Sequence, residues 1–224
     1  RFELPDMLVN RSDVHNLGDV VAGRADLFAR SYLEVAAGSN PTLAPVVVGD
    51  HSDLDVFLRA TRGEPVEARA LSRPFPPADV RAITAVLGHL VHVRDRLLLV
   101  NEAYIRSATL DDGLRGEPPF LLQGSYRNMA KLAARIVPVM TGDEVEAVLA
   151  DHYRTEAQTL ADAAAWNLAR LAELVDPDAA RAAEAATLRA RWSEERAAAN
   201  PSVAVTRALA GIEDALRDGA GEHG

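Results

Sequence analysis

The sequence predicts an all-α protein, a multi-helix bundle with a long central helix and peripheral C-terminal helices. Apolar residues recur at helical spacing along almost the whole chain, and the alternating pattern of a strand is nearly absent. Val46 to Val48 is the only run of three β-branched residues, which is too short to predict a strand. With 48% hydrophobic residues among 224, the chain can form one large domain or two small ones.

The central helix is predicted to begin at Pro76-Pro77, because proline suits the first helical turn, and to run to about Thr109. Its apolar residues form one stripe in alternating steps of three and four, and a second stripe lies beside it. The first stripe is Ile83, Val86, Leu90, Val93, Leu97, Val100 and Tyr104, and the second is Leu87, Val91, Leu98 and Ile105. Two apolar sides predict a helix that other helices cover on both sides.

Two shorter helices are predicted before the central one. The first spans Arg24 to Ala37 and stops at Gly38, a common helix-ending residue. The second is predicted from Ser52 and Asp55, which have the spacing of a capping box, and it ends near Gly63.

Further helices are predicted after residue 140. Thr141 with Glu144 opens a long helix toward Val175. Asp176-Pro177 and Asn200-Pro201 each place an N-cap residue before a proline, and so begin two final helices. Both are rich in alanine and poor in large apolar residues, so we expect them to pack peripherally or to await a partner.

The junction between the central helix and Thr141 carries the most informative residues. Glycine and proline residues between 112 and 119 force a loop, and Gly124-Ser125 starts a short helix that Pro138 ends. Arg127, Lys131 and Arg135 recur every four positions, and therefore share one face of that helix.

Two interpretations of this basic face are open. In one, Ser125, the free amides of the helix start and Arg127 together bind an anion, most plausibly a phosphate. In the other, Arg127 is a surface residue that pairs with a carboxylate from another helix. Arg11 lies near the start of the chain, and on its own it is best interpreted as a solvated or structural residue.

Other candidate sites are weaker. His89 and His92 have no third ligand at matching spacing, so they are better interpreted as helix surface than as a metal site. Asp50, Asp53 and Asp55 lack the glycine and glutamate of a calcium loop, and are interpreted as acids at a helix start. No pair of aromatic residues flanks basic residues in a way that predicts stacking of nucleic-acid bases.

Composition excludes several classes of protein. The absence of cysteine excludes a disulfide framework and a thiolate metal site. A formal net charge of −9 opposes binding to phosphate backbones, so no direct nucleic-acid contact is expected. No apolar stretch approaches the roughly 20 residues of a membrane span, and no leader opens the chain, so we expect a cytoplasmic protein without membrane contact. Because the chain opens with Arg1 in a segment typical of the middle of a polypeptide, a longer parent is also expected.

Two segments resemble motifs of a known ATPase superfamily. LPDMLVNR, which ends at Arg11, resembles the L-P-x-x-L-x-x-R element that closes the nucleotide-binding core of MoxR-like AAA+ ATPases. QGSYRNMAKLAARI resembles the G-x-S-x-R helix of their lid. PDMLVNRSDVHNLGDV, FLLQGSYRNM and DHYRTEAQTL are similar to the C-terminal part of a large bacterial family labelled DNA-repair ATPases. The resemblance covers about Phe2 to Val175.

This resemblance implies a role in ATP hydrolysis within an oligomer. It implies that Arg11 is the catalytic arginine finger toward a neighbouring subunit, and that Arg127 is the sensor 2 residue at the γ-phosphate, with Ser125 and Lys131 beside it. ATP is the implied cofactor, with Mg²⁺ held by parts of the parent protein outside this chain, and other subunits of the same ATPase are the implied partners. The chain contains no G-x-x-x-x-G-K-[ST] loop, and therefore cannot hydrolyse ATP alone.

On this basis the chain is divided into three parts. Residues 1–21 are the end of the AAA+ core and its connection to the lid, residues 22–140 are the helical lid, and residues 141–224 are a C-terminal helical extension. DNA repair and stress response are the settings that the family label suggests. The alternative function is a helical module that binds a protein partner through its C-terminal helices and touches no nucleotide. DNA contact through Arg127, Lys131 and Arg135 is a third, weaker hypothesis.

Overall fold

The computed structural model describes residues 24–48, 51–111, 115–176 and 179–199, and these ranges contain helices and no strand. The predicted all-α, multi-helix fold is therefore confirmed. The α-helices are α1 (Ala25–Ser39), α2 (Ala44–Val47), α3 (His51–Ala60), α4 (Pro77–Ala108), α5 (Tyr126–Ala133), α6 (Gly142–Ala157), α7 (Ala164–Val175) and α8 (Ala179–Ala199). Short 3-10 helices span Pro41–Leu43, Ala68–Ala70 and Gln158–Ala163.

The chain forms two compact units. The first unit comprises Arg1–Asp95 with Tyr126–Val145, and the second comprises Arg96–Ser125 with Glu146–Gly224. Helices α4 and α6 each begin in the first unit and end in the second. These units group residues by contact within the fold, so the functional boundaries predicted at residues 21 and 140 stay predictions.

Helix α4 is the long central helix that the sequence predicts, with 32 residues from Pro77 onward. All but the last member of its first apolar stripe are buried, at 0 or 1% exposure. The second stripe is less well covered, since only Leu87 is fully buried and Ile105 is 42% exposed. The three-and-four spacing thus identified the buried face and overestimated its width near the end of the helix.

In the first unit, α1 and α5 lie side by side and run in the same direction. The Ser31 hydroxyl, near the middle of α1, lies 2.6 Å from the hydroxyl of Tyr126, the first residue of α5. At the other end, Asn40 follows α1, and its side-chain amide donates to the carbonyls of Ala133 and Ile136 at 2.7 and 2.9 Å. Helix α1 continues through Gly38, where the sequence predicted its end, and stops before Asn40.

Helix α3 corrects the predicted capping box at Ser52. The helix begins at His51, so Ser52 lies in its first turn. Asp53 is fully buried and accepts hydrogen bonds from the amide and hydroxyl of Ser72, at 2.7 and 2.6 Å. Asp55 pairs with Arg30 of α1 at 2.6 Å. These acids connect α3 to other parts of the first unit, in addition to lying near a helix start.

The helix predicted from Thr141 to Val175 is interrupted. Its start is confirmed, because Thr141 and Glu144 form a reciprocal capping box, with the Thr141 amide donating to Glu144 at 2.8 Å and the Glu144 amide to Thr141 at 3.3 Å. The prediction of one continuous helix is wrong, because the 3-10 segment Gln158–Ala163 separates α6 from α7. Within it, Ala161 has φ 48° and ψ −121°, which no α-helix accommodates.

Helix α8 packs peripherally, as its alanine-rich sequence predicts. Ala185 is the one buried residue among its described side chains, 182–198. The second predicted C-terminal helix, which begins at Asn200-Pro201, lies outside the described residues. Of the helices in the described ranges, none combines the length and the apolar character needed to cross a bilayer.

Candidate functional site

The structure describes three of the four residues that the sequence proposes as a site. Arg11 lies outside the described residues. Ser125 is the half-buried residue immediately before α5, while Arg127 and Lys131 are exposed residues of α5. The predicted helix start at Gly124-Ser125 is confirmed, and it brings Arg127 into the first turn.

Helix α5 separates a buried face from a basic one. Asn128, Met129, Leu132 and Ala133 are its buried residues, and the exposed cations lie on the opposite side. Arg135 is also exposed, but it follows the end of the helix, in a turn where its amide donates to the Leu132 carbonyl at 2.9 Å. The predicted basic face therefore consists of two helical residues and one turn residue.

Arg127 has an unusual electrostatic position. No carboxylate in the described part of the chain forms an ion pair with it, so the surface-pair interpretation gains no support there. A cation in the first turn lies against the helix dipole, at a cost of about 0.3 to 1 kcal/mol. An anion bound at this point would relieve that cost, because it would interact with both the guanidinium and the amides of the helix start.

Helix α5 begins beside the middle of α1, because Tyr126 is the first residue of α5 and contacts Ser31, which lies well inside α1. The first turn of α5 contains no acidic residue of its own. The start of α5 therefore presents Arg127 without a neighbouring carboxylate in the same turn.

Three aromatic rings lie at the start of α5. The Tyr126 ring lies 4.4 Å from the Tyr32 ring and 5.9 Å from the Phe28 ring, measured between centroids. Tyr126 is 40% exposed, whereas Tyr32 is buried. Burial, and to a lesser extent the charge of Tyr126, raises the pKa of Tyr32 to about 12. The Tyr32 hydroxyl is therefore neutral near pH 7.

The sequence did not show that these rings lie beside the basic residues of α5. Phe28 and Tyr32 are four residues apart on α1, and they contact Tyr126, which directly precedes Arg127 in the chain. The helical spacing of Phe28 and Tyr32 was visible in the sequence, as was the Tyr126-Arg127 pair. Their contact was not, because it joins segments far apart in the chain.

The metal-site alternatives gain nothing from the structure. Within the described ranges there is no group of three or more histidine, aspartate or glutamate side chains that suits a metal ion. His89 and His92 are half-buried residues of α4. Both carboxylate oxygens of Asp53 accept hydrogen bonds from Ser72, and Asp50 lies outside the described residues.

Comparison of the chain with models of known protein families, with curated proteins and with solved structures gives no match.

Proposed function

We propose that this chain is the helical lid region of a MoxR-like AAA+ ATPase, and that Arg127 contacts the γ-phosphate of ATP. In this proposal Arg11 acts as an arginine finger toward the nucleotide of a neighbouring subunit. Mg²⁺ and the phosphate-binding loop are supplied by parts of the parent protein outside this chain. The assembled ATPase works in the cytoplasm, with DNA repair or stress response as its setting.

One observation carries the proposal. Arg127 is exposed, occupies the first turn of α5 and forms no ion pair with a carboxylate of the described residues. The opposite face of α5 is buried, so the guanidinium is presented from a fixed backbone. A rigid, charged fork in the first turn of a helix suits a phosphate group better than it suits an apolar or cationic ligand.

The remaining polar groups of α5 have defined roles in the proposal. Lys131 lies one turn after Arg127 and adds positive charge to the same face. Ser125 directly precedes the first turn of α5, and in this proposal its hydroxyl or amide donates to the bound anion. Because phosphoryl transfer is accelerated by cations placed where negative charge develops, an arginine at the γ-phosphate couples lid position to ATP turnover.

Arg127→Ala in the full-length gene product tests the proposal. We expect a loss of transition-state stabilisation, seen as a fall in ATP turnover of at least about tenfold, since hydrogen bonds to charged groups contribute about 1.5 to 3 kcal/mol. Arg81→Ala is the matched control, because Arg81 is an exposed arginine near the start of α4. Equal ATP affinity and turnover in wild type and Arg127→Ala would reject the proposal.

A helical interaction module is the second candidate function, and the exposure of α8 favours it. Ala185 is its one buried residue within 182–198, which leaves most of this 21-residue helix available to a partner. If this function is correct, Arg127→Ala should leave partner binding intact. Surface substitutions on α8 should abolish it. Measuring ATP turnover and partner binding on the same variants separates the two functions.

A further inference from the structure

Helix α8 joins the rest of the second unit through a small apolar contact with α7. Ala185 is buried and Leu188 is half-buried, and both pack against Trp166 and Ala169 of α7. On the α8 side, few side chains form this contact, and the large surface that they help to cover belongs to Trp166, which is 4% exposed. The position of α8 therefore decides whether the Trp166 ring is covered.

An ionic cluster holds the same contact. We call Glu117, Arg170, Glu173 and Arg189 the arginine latch. Arg189 of α8 donates from Nε to Glu117 at 2.9 Å and from an Nη to Glu173 at 3.3 Å, and its guanidinium lies 5.5 Å from the centroid of the Trp166 ring. Arg170 of α7 pairs with the same two carboxylates. Two cations and two anions thus balance each other across the contact.

The arginine latch is accessible to salt. Its four side chains are 19 to 31% exposed, so water and ions reach them. Ion pairs of this kind weaken as ionic strength rises. Helix α8 itself is rich in alanine, arginine and glutamate, which are strong helix formers, and Arg191 pairs with Glu195 within it at 2.8 Å. It can therefore retain helical structure when it is detached.

Helix α8 also borders a cavity of about 640 Å³ in the second unit. Apolar side chains of α4, α6 and α7 line most of it, among them Val100, Leu149, Leu168 and Leu171. Glu184 is the contribution of α8 to this lining, and it directly precedes Ala185, which contacts Trp166. The volume lies within the range of small-molecule sites, and displacement of α8 would remove Glu184 from the rim of the cavity.

We propose that α8 is a detachable strap, which the arginine latch closes over Trp166 and the adjoining cavity and which rising ionic strength releases. From about 0.1 M to about 1 M NaCl, the Debye length falls from about 10 Å to about 3 Å, so the attraction between the partly exposed latch residues is weakened. Release exposes Trp166 and opens the α8 side of the cavity. The inference does not depend on nucleotide binding by the first unit.

Tryptophan fluorescence tests the proposal. The chain has two tryptophans, so Trp192→Phe leaves Trp166 as the only emitter. In this background we expect high NaCl to shift Trp166 emission to the red and to increase its quenching by acrylamide, a neutral quencher. We also expect increased binding of the dye 1-anilinonaphthalene-8-sulfonate, used here as a probe of accessible apolar cavities. The far-UV circular dichroism should change little, because released α8 keeps its helix.

Two arginine variants make the test specific. Arg189→Met keeps an apolar stem against Trp166 and removes the charge, so it should show the released signals already at low salt. Arg191→Met is the matched control, because Arg191 pairs with Glu195 of the same helix and its side chain is 75% exposed. The Arg191→Met chain should therefore give the same Trp166 signals as the parent chain at low and at high salt.

Hydrogen exchange of Arg189→Met distinguishes release from unfolding. Release predicts faster exchange in α8, with α7 protected nearly as in the parent chain. If α7 and α8 lose protection together, α8 is an integral part of the second unit and the proposal is wrong. The proposal is also wrong if Trp166 stays inaccessible to acrylamide in Arg189→Met and at high salt.

Discussion

Replacing Asn40 with alanine is expected to destabilise the first unit by about 3 kcal/mol, because one buried amide satisfies three backbone groups there. Asn40 is 2% exposed. Its nitrogen donates to the Ala133 and Ile136 carbonyls, and its oxygen accepts from the Thr42 amide at 2.9 Å. The side chain thus connects the end of α1 and the start of the next 3-10 helix to the end of α5.

The magnitude follows from these three bonds. Each contributes about 1 kcal/mol net, and the loss is larger when a partner stays buried without a substitute. Ala133 and Ile136 are 0 and 1% exposed, so water reaches their carbonyls only if the structure opens. We therefore expect about 3 kcal/mol, which corresponds to an increase of more than 100-fold in hydrogen-exchange rates of the α5 amides.

Hydrogen exchange followed by mass spectrometry is the appropriate assay, because it reports on each unit separately. Asn167→Ala is the matched control in the second unit, where the Asn167 amide accepts from Leu121 at 2.6 Å and donates to Ala163 at 2.9 Å. It should raise exchange around α7 and leave α5 protected. A change below about threefold in the α5 amides of Asn40→Ala would refute the reasoning, since it corresponds to less than about 0.7 kcal/mol.

Asn40→Asp provides a second check on the same bonds. Aspartate keeps the acceptor for Thr42, but it places a carboxylate against two carbonyl oxygens in a buried position. At neutral pH it should therefore destabilise the first unit more than alanine does. The difference should narrow as the pH falls, because protonation removes the buried charge. An Asn40→Asp chain as stable as wild type at neutral pH would contradict the proposed role of the donors.

Two further predictions concern packing and pH. Gly124→Ala should lower the free energy of unfolding by about 3 kcal/mol, because its Cβ would lie 1.8 Å from the Leu97 carbonyl oxygen. Gly88→Ala, whose Cβ would have no neighbour within 4 Å, should instead stabilise α4 by about 0.5 to 1 kcal/mol. Thermal unfolding of both variants checks this prediction, and equal effects would contradict it. The raised pKa of Tyr32, about 12 against an ordinary value of 10.0, predicts stabilisation that is complete below pH 10 and is lost as the pH rises through 12. Tyr32→Phe should remove this loss and the highest tyrosinate titration step at 295 nm, and persistence of both would argue against the assignment.

The fold was predictable from the sequence where local periodicity determines structure. The stripe of α4 is periodic over its whole length, and the capping box of α6 lies within four residues, so both were predicted and both are confirmed. The break before α7 was not predictable in this way. Gln158–Ala163 contains neither glycine nor proline, and alanine favours a continuous helix. At the end of the break, the Asn167 side chain donates to the Ala163 carbonyl and accepts from the Leu121 amide, which lies 46 positions earlier in the chain.

The candidate site was likewise predictable where it depends on spacing within one helix, and not where it depends on contacts between distant segments. The four-residue spacing of Arg127 and Lys131 predicted a shared exposed face, and the structure confirms it. The aromatic rings beside that face were missed, because their contact depends on how α1 packs against α5. Ser31 and Tyr126, whose hydroxyls meet there, are 95 positions apart. No periodicity within a helix encodes a contact between two helices so distant in sequence.

The shared direction of α1 and α5 has an energetic consequence for the point at which they end. Neighbouring helices joined by short loops usually run in opposite directions, so that the partial charges at their ends cancel. Here the two C-terminal ends are neighbours, and Asn40, which directly follows α1, donates to two carbonyls at the end of α5. The helix pair thus carries a repulsion between two partially negative ends that an antiparallel pair would lack, and the side-chain amide of Asn40 reduces that repulsion.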